Sequence, residues 1–263
     1  MEVDLKSLIK EENEFWSKKF GEELDKKEKG DFSSYWWEKY YEEIINFVDS
    51  KIKPLGNPKT LEAGAGSGKA SILLGRRKKL NLILLDVSDV ALKYAKKLAD
   101  RFGVKNISFE RGNIFSLPYN DRPFDLVWNI GVIEHYEPKD AIKALKEMLR
   151  VTKPNGYIAF GVPNYSSGPM LKARLLKLPF LRFIPGYRVG SEKRYKAEEL
   201  TFLLEKAASE SRVSFKNVEV RYFGYGLPTE TPKILLLSLG RILNKLFPKS
   251  KFLIFIAAQL SEL

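Results

Sequence analysis

Leu61-Glu62-Ala63-Gly64-Ala65-Gly66-Ser67-Gly68-Lys69-Ala70 follows a short apolar run and precedes a helical pattern, so its glycines fall at a strand-to-helix turn. Three chemistries use such a turn. A P-loop requires Gly-x-x-x-x-Gly-Lys followed by Ser or Thr, whose hydroxyl holds the nucleotide's magnesium. Counting back from Gly68-Lys69, the first glycine falls on Ala63 and the hydroxyl on Ala70, so both ends fail. A dinucleotide site requires Gly-x-Gly-x-x-Gly, with the pyrophosphate on the helix N-terminus. Gly64 and Gly66 fit, but Lys69 takes the third position and Gly68 comes one residue early, which leaves a variant nicotinamide site open at this point. The third pattern, Glu62-x-Gly64-x-Gly66-x-Gly68, fits at every position. It gives backbone room without an anion cradle. A carboxylate at Glu62 favours a cationic ligand and repels a phosphate, and Lys69 reads as an ordinary first-turn helix residue.

Outward from this turn, short apolar runs alternate with helical segments. The pattern predicts strands at 59–63, 80–86, 106–111, 124–130 and 156–162, with helices at 68–77, 88–102 and 139–150. Ser88 or Asp89 is placed to cap the second helix and Gly103 to end it. Strands joined by helix-length crossovers imply a parallel sheet covered on both faces, hence an α/β doubly wound domain. Ahead of it, Ser33 or Ser34 can cap a helix carrying Tyr35, Trp36, Trp37, Tyr40, Tyr41, Ile44, Ile45 and Val48, stopped by Pro54 and Pro58. Beyond it come a helix near 197–209, a strand at 213–223 and a final apolar run, Phe252 to Ala258.

Further segments recur in a fixed order. Asp86 ends Leu82-Ile83-Leu84-Leu85-Asp86, where a carboxylate can take both hydroxyls of a ribose. Glu110-Arg111-Gly112-Asn113-Ile114 closes the third strand. Phe124-Asp125-Leu126-Val127-Trp128-Asn129-Ile130-Gly131 and Leu149-Arg150-Val151-Thr152-Lys153-Pro154-Asn155-Gly156 mark the fourth strand and the turn before the fifth. Together with the glycine turn, these segments resemble the class I S-adenosylmethionine-dependent methyltransferases over residues 60–162, and most closely their small-molecule branch (methyltransferase type 11/12-like). The resemblance implies a Rossmann-like, seven-stranded, mostly parallel sheet whose last strand is antiparallel. An N-terminal helical lid would span 1–54 and the methyltransferase domain 55–263. It implies a transferase that binds S-adenosylmethionine, releases S-adenosylhomocysteine and uses no metal.

By family position the cofactor-binding residues are Glu62, Gly64, Ala65, Gly66, Gly68, Asp86, Val87, Asn113, Ile114, Asn129, Ile130 and Gly131. Asn113 stands where the family usually has aspartate, and its side-chain oxygen can still accept the adenine amino group's hydrogen bond. Methyl transfer is an in-line displacement on a sulfonium already primed to leave, so alignment and water exclusion supply much of the rate and no base is obligatory. His135, the single histidine, and Glu134 are the candidate catalytic residues, as base or acceptor orienter, against a structural role in their loop. One ring of the Tyr35–Tyr41 cluster is the candidate to face the sulfonium; the others belong to the core.

The composition removes other classes. With no cysteine and one histidine, disulfides, thiolate metal sites and histidine-based zinc sites are excluded or improbable. The N-terminal residues lack a basic start followed by an apolar core, which points to a cytoplasmic protein. The net charge of +12 is concentrated: residues 165–196 carry net +7 and residues 228–251 net +4. In the family's chain order they fall after strand five and between strands six and seven, where the resemblance implies substrate-covering insertions. Each combines leucine-rich bulk with basic charge. The acceptor is therefore expected to be small and apolar or acidic, lipid-like or anionic. Two alternatives stand beside this reading: a peripheral lipid-binding protein that keeps the fold at an anionic membrane surface, and, less favoured, a tRNA-modifying methyltransferase that binds RNA.

Overall fold

The computed structural model describes residues 5–24, 34–184, 187–190 and 192–262. Its strands are β1 (Lys59–Ala63), β2 (Asn81–Asp86), β3 (Ile107–Arg111), β4 (Phe124–Ile130), β5 (Thr152–Pro163), β6 (Phe215–Phe223) and β7 (Leu253–Leu260). They form one sheet in the order β3-β2-β1-β4-β5-β7-β6. The first five strands run parallel, and β7 is antiparallel to both neighbours. The helices are α1 (Leu5–Leu24), α2 (Tyr35–Ile52), α3 (Lys69–Arg77), α4 (Asp89–Phe102), α5 (Pro138–Val151), α6 (Gly168–Leu175), α7 (Ala197–Glu210), α8 (Lys233–Leu235) and α9 (Arg241–Leu246). A π-helical turn, Leu236–Gly240, joins the last two. The seven-stranded methyltransferase architecture implied by the motifs is the one present.

Two apolar layers flank the sheet. On one face α5 and α7 supply Leu145, Met148, Leu200 and Leu204. On the other, α2, α3 and α4 supply Trp36, Ile44, Val48, Ile72 and Leu98. Strand β7 shows why a continuous apolar run is needed between them. Ile254, Ile256 and Ala258 face the first layer, while Leu253, Phe255 and Ala257 face the second, as the two-residue side-chain period requires when both faces are buried.

Local signals set the element ends. The Ser88 hydroxyl accepts from Ala91 N at 3.2 Å to start α4, and Gly103, at φ 68°, ends it. Ser34 caps α2 by accepting from Trp37 N, while Ser33 lies outside the described residues. Pro138 opens α5 at a position where no amide hydrogen is needed. The fifth strand starts earlier than its apolar run, because Thr152 already pairs with Phe124 ahead of a bulge whose Asn155 is left-handed at φ 62°. The sixth starts later, at Phe215.

The 1–54 extension divides into two parts of different character. Helix α2 belongs to the core: Trp36, Tyr40, Ile44, Ile45, Val48 and Ile52 are all buried. Helix α1 packs on α4 and lies over the carboxyl ends of the strands.

Candidate active site

Strand order reverses between β1 and β4, which opens a crevice beyond the carboxyl ends of both strands. The glycine turn sits at its floor. Gly64 N and Ala65 N both donate to Leu85 O, at 2.8 and 2.9 Å, tying the turn to β2. Gly64, Gly66 and Gly68 all have positive φ, 78°, 52° and 60°, so a side chain at any of them is strained. Their surroundings differ. A Cβ on Gly64 would meet Val132 at 2.9 Å and one on Gly66 would meet Phe20 at 3.2 Å, both across the crevice. One on Gly68 would sit 2.2 Å from Leu84, inside the β2–α3 packing. The first two glycines keep space open, and the third lets α3 lie against the sheet.

Asp86 locks the turn to the second crossover. Its Oδ2 accepts from Gly66 N at 2.7 Å and its Oδ1 from Ser88 N at 2.9 Å, and the carboxylate is buried. These charge-assisted bonds fix both oxygens at the cleft wall. Asn113 departs from the expectation in one respect. Its side-chain oxygen already accepts from Phe115 N at 3.0 Å, forming an Asx turn that shapes the next loop, so one of its two lone pairs is spent on the backbone.

The cleft encloses about 830 Å³, a figure that includes the open solvent at its mouth. Of the residues expected from sequence, Gly64, Ala65, Gly66, Asp86, Val87, Asn113, Ile114, Ile130, Gly131 and His135 line it. Glu62, Gly68, Asn129 and Glu134 do not. Asn129 turns its amide into the core, donating to Met148 Sδ at 3.3 Å. Glu134 is buried behind the short helical turn Ile133–His135, and its carbonyl accepts from Lys193 N. Glu62 lies beneath the turn, hydrogen-bonded by Ser71, whose hydroxyl also accepts from Trp128 Nε1 at 3.1 Å. Burial is the main cause that lifts the Glu62 carboxyl to about 7, with Ser71 pulling it down and Asp86 adding to the rise. Its Oε2 is buried without a hydrogen-bond partner, an electrostatic debt that a cation above the turn would offset. Lys69, expected as an ordinary first-turn residue, is buried instead.

The rings that line the cleft come from a different helix than the one the sequence suggested. Trp36 and Tyr40 of α2 are core residues, stacked on each other, with the Trp36 indole donating to Leu227 O at 3.0 Å. The rings at the cleft are Trp16 and Phe20 of α1, with Phe115 and Tyr136 opposite. Trp16 meets His135 edge-on at 5.5 Å, Phe20 packs near Tyr94, and Ser17 Oγ lies 2.8 Å from Ser88 Oγ. Residues 13, 16, 17 and 20 share one helix face, so the spacing of Trp16 and Phe20 was a legible signal. Ile9, Ser67, Gly112 and Val132 complete the lining.

Among the described residues that line the cleft there is no lysine or arginine, and Asp86 is the one carboxylate. A phosphate there would find no side-chain cation; what speaks against a nicotinamide site is the glycine spacing, with Lys69 at the third glycine position. A ligand with cationic and apolar parts and a ribose fits the donors and acceptors present. Among the described residues no cluster of His, Asp and Glu could hold a metal.

Comparison with known proteins agrees. A family model described as "Methyltransferase domain" matches residues 56–200, from just ahead of β1 into α7. Norajmaline N-methyltransferase from Rauvolfia serpentina is 31% identical over 119 residues, 44% of this chain and 40% of that protein. Ubiquinone/menaquinone biosynthesis C-methyltransferase UbiE from Idiomarina loihiensis is 32% identical over 103 residues, 38% of this chain and 40% of that protein. The chain thus spans less than half the length of these curated relatives. A crystal structure of a SAM dependent methyltransferase from Aquifex aeolicus aligns with a TM-score of 0.56 over 92% of this chain and 97% of that one. At 17% identity, what the two share is the fold.

Proposed function

The chain belongs to the class I S-adenosylmethionine-dependent methyltransferases, and from that premise we propose that it transfers a methyl group from S-adenosylmethionine to a small apolar acceptor by in-line displacement. The observation that carries this reading is the cleft itself: a ribose-competent carboxylate at Asp86, glycine room at 64 and 66, and no cationic side chain among the described lining residues. The bound cofactor supplies a methyl group on a sulfonium, a leaving group that needs no protonation.

This chain's residues then bind, orient and keep water out. Asp86 would hold the ribose hydroxyls, while its bonds to Gly66 N and Ser88 N keep the turn fixed. Ile114, Phe115 and Ile130 offer an apolar wall beside it. Trp16 and Phe20 close the mouth over the glycine turn, and an aromatic ring favours a sulfonium. Exclusion of water by α1 strengthens every charge interaction inside. His135, edge-on to Trp16 at the mouth, orients the acceptor or takes its proton. Glu134 acts behind it, through the position of that loop. The apolar lining without lysine or arginine supports an apolar acceptor over an acidic one.

Calorimetric titration with S-adenosylmethionine tests the cofactor assignment. Asp86→Ala is expected to weaken binding by about tenfold to a hundredfold, the loss of one or two charge-assisted hydrogen bonds. Wild-type affinity in Asp86→Ala and in a bulky Gly66 variant would remove the assignment. Transfer of a methyl label into lipid, small-molecule and RNA extracts then names the acceptor class, and label confined to RNA would overturn the apolar small molecule.

A further inference from the structure

We propose that the two basic insertions form a docking surface for an anionic lipid bilayer, a partner that the methyl-transfer reading does not require. In each insertion the residues that hold it to the protein are few, and the larger apolar side chains point outward. Helix α6 is anchored by Met170 and Ala173, with Leu176 just beyond it, and presents Leu171, Arg174 and Leu175 on the opposite face. The chain continues through Leu178, Phe180 (68% exposed) and Phe183 (82% exposed). The second insertion is anchored by Leu236 and Gly240 and presents Leu235, Leu239, Ile242 and Leu246 to solvent, with Ile234 78% exposed beside them. A helix on a soluble surface has the reverse polarity. Exposed apolar patches of this kind mark an interaction site.

The roots of the two insertions are joined and rigidly held. Gly168 N donates to Gly226 O at 2.8 Å, where a Cβ on Gly168 would come within 2.2 Å of that oxygen. Lys172 pairs with Glu230 at 2.7 Å. Asn164 Nδ2 donates to both Lys249 O and Lys251 O at 2.8 Å, closing the base of the second insertion onto the end of β5. The exposed leucines and phenylalanines therefore sit on fastened elements at one place on the molecule. That place is at the carboxyl ends of β5 and β6, the same end of the sheet as the cleft, where Gly131 N bonds Gly161 O.

Charge selects the occupant. No Asp or Glu occurs between Tyr165 and Ser191 or between Thr231 and Ser261. Three acids flank these stretches and each has a partner: Glu230 pairs with Lys172, Glu192 accepts from the Tyr187 hydroxyl, and Glu262, at the far end of β7, accepts from Asn155 Nδ2 at 3.3 Å. Lys177 and Arg182 in the first insertion, and Arg241, Lys245 and Lys249 in the second, are interleaved along the chain with the apolar residues. A second copy of the chain would bring like charge against like. RNA would satisfy the cations but leave the leucines and phenylalanines in water. A bilayer of anionic lipid satisfies both, with apolar side chains among the acyl chains and cations at the headgroups. Among the described residues no helix is long and apolar enough to cross the membrane, so the surface lies on the bilayer.

The test is co-sedimentation of the full chain with vesicles of phosphatidylcholine alone and of phosphatidylcholine with phosphatidylglycerol, at low and physiological salt. Each variant's S-adenosylmethionine affinity and melting temperature are measured alongside. Binding is expected only with the anionic vesicles. Arg241→Gln with Lys245→Gln should weaken it about twenty-fold to thirty-fold, about fivefold for each cation at the surface. Leu239→Glu with Ile242→Glu should abolish it. Phe183→Ser, a milder change at an exposed position, should weaken it severalfold, and all variants should keep wild-type cofactor affinity. Failure of the wild type to bind anionic vesicles overturns the proposal, as does unchanged vesicle binding by both the leucine/isoleucine and the phenylalanine variants. Binding to tRNA in place of vesicles, lost in the same variants, overturns it in favour of RNA. Loss of cofactor affinity in the wild type would instead count against the methyl-transfer reading and leave the docking surface standing.

Discussion

Gly68→Ala separates a glycine that the fold needs from the glycines that a ligand needs. The new Cβ would lie 2.2 Å from Leu84 Cδ1 and 3.4 Å from its Cγ and Cδ2, and Leu84 is fully buried between β2 and α3. Relief requires a shift of more than an ångström in a fully buried side chain, an overpacking cost of about 1–3 kcal/mol. The left-handed backbone, φ 60°, adds about 1–2 kcal/mol for any residue with a Cβ. The sum, about 2–5 kcal/mol, corresponds to a fall in melting temperature of about 4–9 °C for a chain of 263 residues. Gly66→Ala carries a comparable backbone cost, but its Cβ would meet Phe20 at 3.2 Å, at the cleft side of α1, where a small displacement suffices. It should lose about 1–2 kcal/mol of stability and considerably more of its cofactor affinity. Chemical denaturation with and without S-adenosylmethionine reads both quantities. The double variant Gly68→Ala, Leu84→Ala sharpens the test, because removing the Leu84 methyls clears the clash. Its destabilisation should fall short of the sum of the singles by about 1–3 kcal/mol. A Gly68→Ala protein that unfolds at the wild-type midpoint, or strict additivity with Leu84→Ala, would refute the packing argument.

Glu62 links stability to pH. Its carboxyl, raised to about 7 from 4.5, binds its proton more tightly folded than unfolded. Its contribution to stability is therefore full below about pH 4.5, falls as pH rises, and is lost above about 7. Glu62→Gln should flatten that part of the profile, gaining on the wild type between pH 5 and pH 8 in denaturant midpoint; parallel profiles would count against it. If a cation binds above the turn, the wild type should also release a proton on taking up S-adenosylmethionine near pH 7, read as a buffer-dependent binding enthalpy that the variant lacks. Arg150→Ala should cost about 2–4 kcal/mol, since Arg150 bonds Glu147 and the Leu117 and Tyr119 carbonyls and so ties down the loop carrying Phe115; Arg150→Lys should recover little, lacking the fork. Trp36→Phe should lose about 1 kcal/mol through the Leu227 hydrogen bond and leave cofactor affinity unchanged, an outcome distinct from that of Trp16→Ala, which should weaken cofactor binding.

The parts of this protein written in its sequence are those whose cause is local. Three alternate glycines demand left-handed backbone at a turn, Ser88 and Gly103 delimit a helix through their own hydrogen bonds and φ, and strand and helix periods give the crossovers that force a parallel sheet. From these the floor of the cleft, Gly64 to Gly66 with Asp86, follows residue by residue. What the sequence could not decide depends on contacts between distant segments. Whether Trp16 or Trp36 faces the cleft turns on where α1 and α2 dock, and both helices carry a plausible aromatic face. Glu62 reads as a cleft carboxylate until Ser71, from the next helix, draws it beneath the turn. Asn113 reads as an adenine acceptor, and only the fold shows that Phe115 N takes one of its oxygen's two lone pairs. The insertions were legible in part: their leucine-rich, basic composition points to an interfacial surface, but which leucines face outward was not readable, because an apolar residue at helical spacing is ordinarily a buried one. Only the tertiary packing, which uses Met170, Ala173, Leu236 and Gly240 as anchors, leaves the others facing solvent.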